Sequence, residues 1–221
     1  MSTIIDVSKE WSNGIERTLT KSGQYDPYDK KSEFRIGDSN IGGSAYFDGK
    51  GNCTIKGHMS RLYCHYPNYN SKLTLDFIPN FVTNGNPPDD ISMKLRSRHH
   101  ISTDKPCAER VGGVGWNVRQ LKWIQTKEKC HNLYKNGHLV PLSKPMVNGQ
   151  KYTVSLKCED QTDGKIRLKG TIDQHEEMNV AVKVESFFFD KSKILSDSIF
   201  WIRFNGTGSI TFSNVKLELL N

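Results

Sequence analysis

Apolar and polar residues alternate with a period of two over several stretches of this chain, the pattern of half-buried strands. Tyr152, Val154, Leu156 and Cys158 fall on one side of a strand predicted at Tyr152–Cys158. Ile166, Leu168 and Ile172 do the same in Lys165–Asp173, and Asp163-Gly164 between them supplies the positive φ of a hairpin turn. Further strands are predicted at Arg61–Tyr66, Leu73–Phe77, Ile91–His99, Gly115–Gln125, Phe200–Phe204 and Ser209–Leu220, and the Phe187-Phe188-Phe189 run marks another at Ser186–Asp190. Asx-Gly pairs recur between these segments, as at Asp48-Gly49, Asn136-Gly137, Asn148-Gly149 and Asn205-Gly206. No stretch shows a sustained 3.6-residue period. Short strands separated by turn signals imply an all-β fold, a two-sheet antiparallel β-sandwich.

The chain has 221 residues, a length that all-β sandwiches reach as one unit. No internal repeat is visible. Asn84–Asp90, with Pro87-Pro88, is the one linker-like stretch and is too short to separate domains. We therefore expect a single domain over 1–221. Residues 1–45 are expected to be partly an extended N-terminal segment, with the polar Asn13–Ser39 lying over the sandwich.

Composition narrows the partners. Hydrophobic residues make up 35% and charged residues 25%, and no apolar run approaches the roughly 20 residues of a membrane-crossing helix. The N-terminal residues show no secretory signal, which leaves the compartment open, with export still allowed. The net charge of +7 favours an anionic partner. Nucleic acid is the weaker choice, because the basic residues are scattered through strands and no nucleic-acid motif is present. Acidic polysaccharide and an anionic surface stay open as expected partners. Cys53, Cys64, Cys107, Cys130 and Cys158 form no C-x-x-C pair, which argues against a zinc ribbon. Cys64, Cys130 and Cys158 lie in strand-like stretches and are expected to act as small buried hydrophobes.

The chemistry concentrates in Ile91–His100. Met93 and Leu95 alternate with Lys94, Arg96, Arg98 and His100, which places a row of cations on one strand face. Such a row repels itself unless anions or solvent relieve it. The outward positions of the hairpin strands add Lys157, Arg167 and Lys169, and Lys122 lies in the Trp-rich strand. If these strands share a sheet, they form a basic floor. Lys94, Arg96, Arg98, Lys122, Lys157, Arg167 and Lys169 are the expected ligand-binding residues. Arginine suits carboxylates through its bidentate geometry. No metal site and no required cofactor are read from the sequence. A structural Ca²⁺ is allowed for, with Asp26, Asp29, Asp48 and Asp173 as its candidate ligands. The chain lacks G-x-S-x-G, a P-loop and a dinucleotide fingerprint.

The strand layout resembles the concanavalin A-like jelly rolls, which include laminin-G-like modules, legume-type lectins, glucanases and several polysaccharide lyases. Within that group Lys94-Leu-Arg96-Ser-Arg98-His-His100 resembles the basic strand of alginate lyases, without the central Glu of their R-x-E-x-R. Their Q-x-H strand has its nearest analogue in Gln120-Leu-Lys122, and their Y-x-K-x-G-x-Y-x-Q strand is absent. The resemblance implies β-elimination on an anionic polysaccharide. Arg96 and Arg98 would neutralise a uronate carboxylate, His100 or His131 would remove the C5 proton, and Tyr134 would protonate the leaving oxygen. The alternatives are a noncatalytic lectin-like binding module and a structural or interaction sandwich.

Overall fold

A computed structural model of the chain describes residues 2–12, 15–20, 24–25, 32–35, 43–57, 60–82, 90–98, 113–118, 122–126, 135–136, 146–173, 177–183, 191 and 198–220. The alternation read from the sequence becomes two antiparallel sheets packed face to face. The first sheet runs in the order β15 (Met178–Val182), β14 (Ile166–Ile172), β13 (Tyr152–Asp160), β8 (Ser71–Asn80), β17 (Ser209–Leu219), β6 (Cys53–Lys56), β5 (Ser44–Phe47) and β2 (Arg17–Leu19). Strand β1 (Thr3–Asp6) also pairs with β17. The second sheet runs β12 (Lys135–Asn136), β11 (Lys122–Thr126), β10 (Gly113–Asn117), β9 (Asp90–Arg98), β16 (Ser198–Asn205), β7 (Ser60–Cys64), β4 (Ser32–Arg35) and β3 (Gln24–Tyr25). The expected two-sheet antiparallel sandwich is what forms.

The hairpin predicted at Asp163-Gly164 joins β13 to β14, with Gly164 at a φ of +72° and its N–H donating to the Gln161 carbonyl. Inward positions of both sheets build the core: Leu73, Leu75, Phe77, Val154, Leu156 and Leu168 from the first, Met93, Leu95, Phe200 and Ile202 from the second. Burial of these side chains supplies the main drive for the two sheets to associate. Trp116 crosses between the sheets and lies flush on Gly170, where an added β-carbon would come within 2.5 Å of its ring. Cys53, Cys64 and Cys158 are buried thiols outside any disulfide, and desolvation raises the Cys158 thiol to about 11.

Three expectations need correction. The stretch Gly115–Gln125 is two strands, because β10 turns back on β11 with Trp116 opposite Trp123. The N-terminal stretch is woven in where it is described. β1 and β2 join the first sheet, β3 and β4 join the second, and Trp11 of the short helix α1 (Ser8–Ser12) is fully buried against Phe47. The basic strand β9 lies in the other sheet from β13 and β14, so the expected floor is divided between opposite faces of the sandwich. The predicted Ser186–Asp190 strand falls outside the described residues.

Each sheet carries a bulge. In the second, Leu95 and Arg96 together oppose Phe200, and Arg96 sits at a φ of 51°. In the first, Asn214 and Val215 oppose Leu75, with Asn214 at a φ of 49°. Left-handed backbone at a non-glycine residue costs on the order of 1–3 kcal/mol and persists only when its surroundings fix it. Asn68 accepts the Arg96 N–H on its side-chain oxygen. At the other bulge Asn214 Nδ2 donates to Asp76 at 2.7 Å.

Candidate functional site

The first-sheet strands present alternate residues to the outside. Inward Leu73, Leu156 and Leu168 are fully buried, whereas Lys72, Lys157 and Lys169 face outward. Strand register then decides their arrangement. Lys169 of β14 stands directly opposite Lys157 of β13, and Lys157 directly opposite Lys72 of β8. Lys72 is in turn opposite Glu218 of β17. The cations therefore form a rung across three strands, not a row along one. Like charges directly opposite one another destabilise a sheet. Two are relieved from the side: Lys157 Nζ lies 2.8 Å from Glu159 and Lys169 Nζ 2.8 Å from Glu177. Lys72 has no such ion pair among the described residues.

One step along the strands runs a second rung, of hydroxyls: Thr171, Ser155 and Thr74. Ser155 Oγ and Thr171 Oγ1 are 2.7 Å apart. Lys72, Ser155, Lys157, Lys169, Thr171, Glu218 and Leu220 line an open groove of about 430 Å³. Its chemistry suits an anion that also carries hydroxyls. Among the described residues the lining contains neither histidine nor tyrosine.

Next to the groove, Asp76 anchors its end of the sheet. Its carboxylate accepts from Lys151 Nζ at 2.7 Å, Asn214 Nδ2 at 2.7 Å and Thr153 Oγ1 at 2.8 Å. Burial alone would raise its pKa, but these hydrogen bonds outweigh burial and hold the carboxyl below the ordinary carboxylate value.

The residues expected along β9 are dispersed. Lys94 lies on the outward side of the second sheet, its Nζ 4.6 Å from the centre of the Trp201 ring, and Trp201 packs beside Tyr63. Register puts Lys94, Trp201 and Tyr63 in one line across β9, β16 and β7. Lys94 is only 1% exposed, so it is a packed cation on an aromatic face instead of an open groove contact.

Arg96 departs further from the expected row. The bulge turns it away from the line of Lys94, and its guanidinium is completely buried where the chain crosses from β7 to β8. Its Nε donates to the Tyr69 carbonyl at 2.8 Å, one terminal nitrogen donates to Asn70 Oδ1 at 2.8 Å, and the other lies 2.8 Å from Asp160 Oδ1. The Tyr69 ring stacks below it at 4.2 Å, and the Tyr69 hydroxyl donates to Asp160. Burial, then that bond to a carboxylate, pushes the Tyr69 hydroxyl up to about 12. Arg96 is thus a sheet-to-sheet tie, and no part of its guanidinium is turned to a ligand.

Arg98 and Lys122 are placed by backbone register alone, opposite Ser198 and Asn117 respectively. Arg167 is exposed on β14, opposite Glu159. His100, His131 and Tyr134 lie outside the described residues. So do Asp26 and Asp29. Of the other two candidate calcium ligands, Asp48 accepts hydrogen bonds from Lys50 and Asn52 in its own turn, and Asp173 from the Thr153 N–H. No group of three metal-ligating side chains converges among the described residues.

The structure thus brings together Lys157 and Lys169 and adds Lys72, Glu218 and Leu220, which the sequence reading had not singled out. Their only sequence signal was alternation, in Lys72-Leu-Thr-Leu-Asp76 and Lys216-Leu-Glu218. What gathers them is pairing between strands far apart in the chain.

No protein-family model and no curated protein matches this chain in sequence. Solved structures do match in shape. The carbohydrate recognition domain of Emp46p superposes with a TM-score of 0.53 at 12% identity, over 90% of this chain and 95% of that one. An alginate lyase, Aly36B, in complex with alginate trisaccharide gives 0.52 at 12% identity over 100% and 98%. Peanut lectin gives 0.50 at 13% identity over 93% and 97%. These similarities, with the two antiparallel sheets, establish the architecture: the chain has the concanavalin A-like jelly-roll fold.

Proposed function

We propose that the protein is a carbohydrate-binding sandwich that holds an acidic polysaccharide in the groove of the first sheet. The observation that carries this reading is the rung of Lys169, Lys157 and Lys72, three cations held side by side on an open surface. Like-charge repulsion across a rung is relieved when acid groups settle on it. The ion pairs to Glu159 and Glu177 are solvent-exposed, and such pairs contribute roughly 0–1 kcal/mol, so a ligand can displace them at little cost. The parallel hydroxyl rung offers hydrogen bonds to sugar hydroxyls. The described lining is built mostly of lysines and hydroxyls, groups that suit the acids and hydroxyls of an acidic sugar. A lectin, a carbohydrate recognition domain and an alginate lyase among the similar structures are in keeping with a glycan ligand.

Binding is the reading carried by what the described lining supplies, charge and hydroxyls, and β-elimination is the alternative. Affinity electrophoresis in gels cast with polygalacturonate tests the reading. The protein should be retarded, and both added salt and Gln at Lys72, Lys157 and Lys169 together should release it. Mobility unchanged by every acidic glycan at low salt sinks it. A rise in far-ultraviolet absorbance on incubation with any polyuronate would instead bring back the elimination reading.

A further inference from the structure

The rung has ends, and they differ. Beyond Lys169 the next strand presents Asn179 of β15, a neutral residue on the last strand of this sheet among the described residues. Beyond Lys72 the line continues to Glu218 and then to Ile4, which is 63% exposed. Glu218 and Leu220 belong to the groove wall itself. Across the sheet the order is therefore neutral, three cations, an anion, then an apolar residue. Adjacent strands are about 5 Å apart, close to the length of one sugar unit, so each lysine faces a successive sugar. A chain with an acid group on every sugar can place three consecutive acids on the rung. A fourth would meet Glu218, a like charge, and a fifth the apolar Ile4.

Building on the acidic-glycan reading, we propose that this groove recognises the terminal three units of a polyanionic glycan with one acid group per sugar. The chain lies across the strands, ends at Glu218 and leaves over the β15 edge. The acid group, carboxylate or sulfate, engages the lysines, and Ser155 and Thr171 engage hydroxyls on the other edge of the sugars. Glu218 acts here as a selectivity residue that repels the interior of a continuing chain.

Calorimetry with oligogalacturonates from dimer to octamer, and with a matching series of malto-oligosaccharides carrying a single sulfate at O6 of each glucose, tests this and separates the two acid groups. In the series that binds, affinity should rise about tenfold from dimer to trimer and then level off. Long chains should take up protein in proportion to their number of ends, not to their mass. Hyaluronan oligomers of equal charge, with acids on alternate sugars, should bind at least about tenfold more weakly. Glu218→Lys should abolish the plateau and allow several proteins per long chain, while Glu218→Gln should do so in part. Affinity that keeps rising through the octamer in the unaltered protein, many proteins per long chain, or hyaluronan binding as tightly as polygalacturonate overturns chain-end recognition and leaves acidic-glycan binding standing. No binding by either series at low salt overturns both.

Discussion

Arg96 and Asp160 tie the two sheets together, with a guanidinium from β9 held 2.8 Å from a carboxylate of β13. The arginine is wholly buried, whereas the Asp160 side chain is 30% exposed. Replacing Arg96 by Met removes the tie and takes the Arg96 donors from the Tyr69 carbonyl and from Asn70 Oδ1, which keeps the Asp160 N–H. Breaking a buried pair from one side costs about 3 kcal/mol. A urea-unfolding midpoint should fall accordingly, while glycan affinity of the folded protein stays unchanged. Parallel loss of affinity would return Arg96 to the ligand site.

Gly170 is a socket for Trp116, and no side chain fits there. Gly170→Ala should destabilise by about 1–3 kcal/mol through overpacking. Trp116→Phe in the same chain should recover part of that loss, an interaction that a double-mutant cycle of melting temperatures reads directly. Simple additivity of the two changes would contradict the contact.

Lys157 is the middle of the rung, so its charge sets the repulsion and, on the acidic-glycan reading, the binding. Lys157→Glu creates opposite-sign neighbours on both sides, each worth roughly 0.2–1 kcal/mol, against the loss of its exposed pair with Glu159. Thermal stability should hold or rise slightly. Affinity for acidic glycan should fall by about tenfold or more, a change of roughly 1.4 kcal/mol or more. A variant that binds as well as the parent would remove the rung from the site.

Asp76 makes stability depend on acid. Its folded pKa is depressed, so its stabilising contribution is fully present above the unfolded value near about 4 and is lost as pH falls through the folded value. Asp76→Asn should be less stable than the parent at neutral pH, and the gap should close as pH drops below about 4. Asp48 and Asp163 are also held low, so the acid sensitivity is reduced, not removed. Denaturant midpoints across this range check it, and a gap that stays constant with pH would show that the Asp76 charge is not responsible.

Local order was legible in the sequence. Alternation with Asp163-Gly164 gave the β13–β14 hairpin, and the outward positions of Lys157 and Lys169 followed from it. The sandwich followed from many such segments. Two things were not legible. A bulge is a local departure from alternation, and nothing in Leu95-Arg96-Ser97 marks where the period breaks; Asn68, far upstream in sequence, stabilises it. Sheet membership is decided by long-range pairing, which separated β9 from β13 and divided one expected floor into two faces. The break between β10 and β11 was missed for a related reason, since Val118 continues the apolar pattern straight through the turn.

On the acidic-glycan reading, the rung also couples recognition to the order of folding. Lys157 and Lys169 meet through a short hairpin, a contact that forms early because little chain entropy is lost in closing it. Lys72 arrives only when β8 docks on β13 across a long intervening stretch of chain, the kind of non-local pairing that slows folding. A half-folded chain therefore presents two cations, and only the finished sheet presents three. A glycan that needs all three acts as a proofreader, selectively stabilising molecules whose slowest pairing is complete.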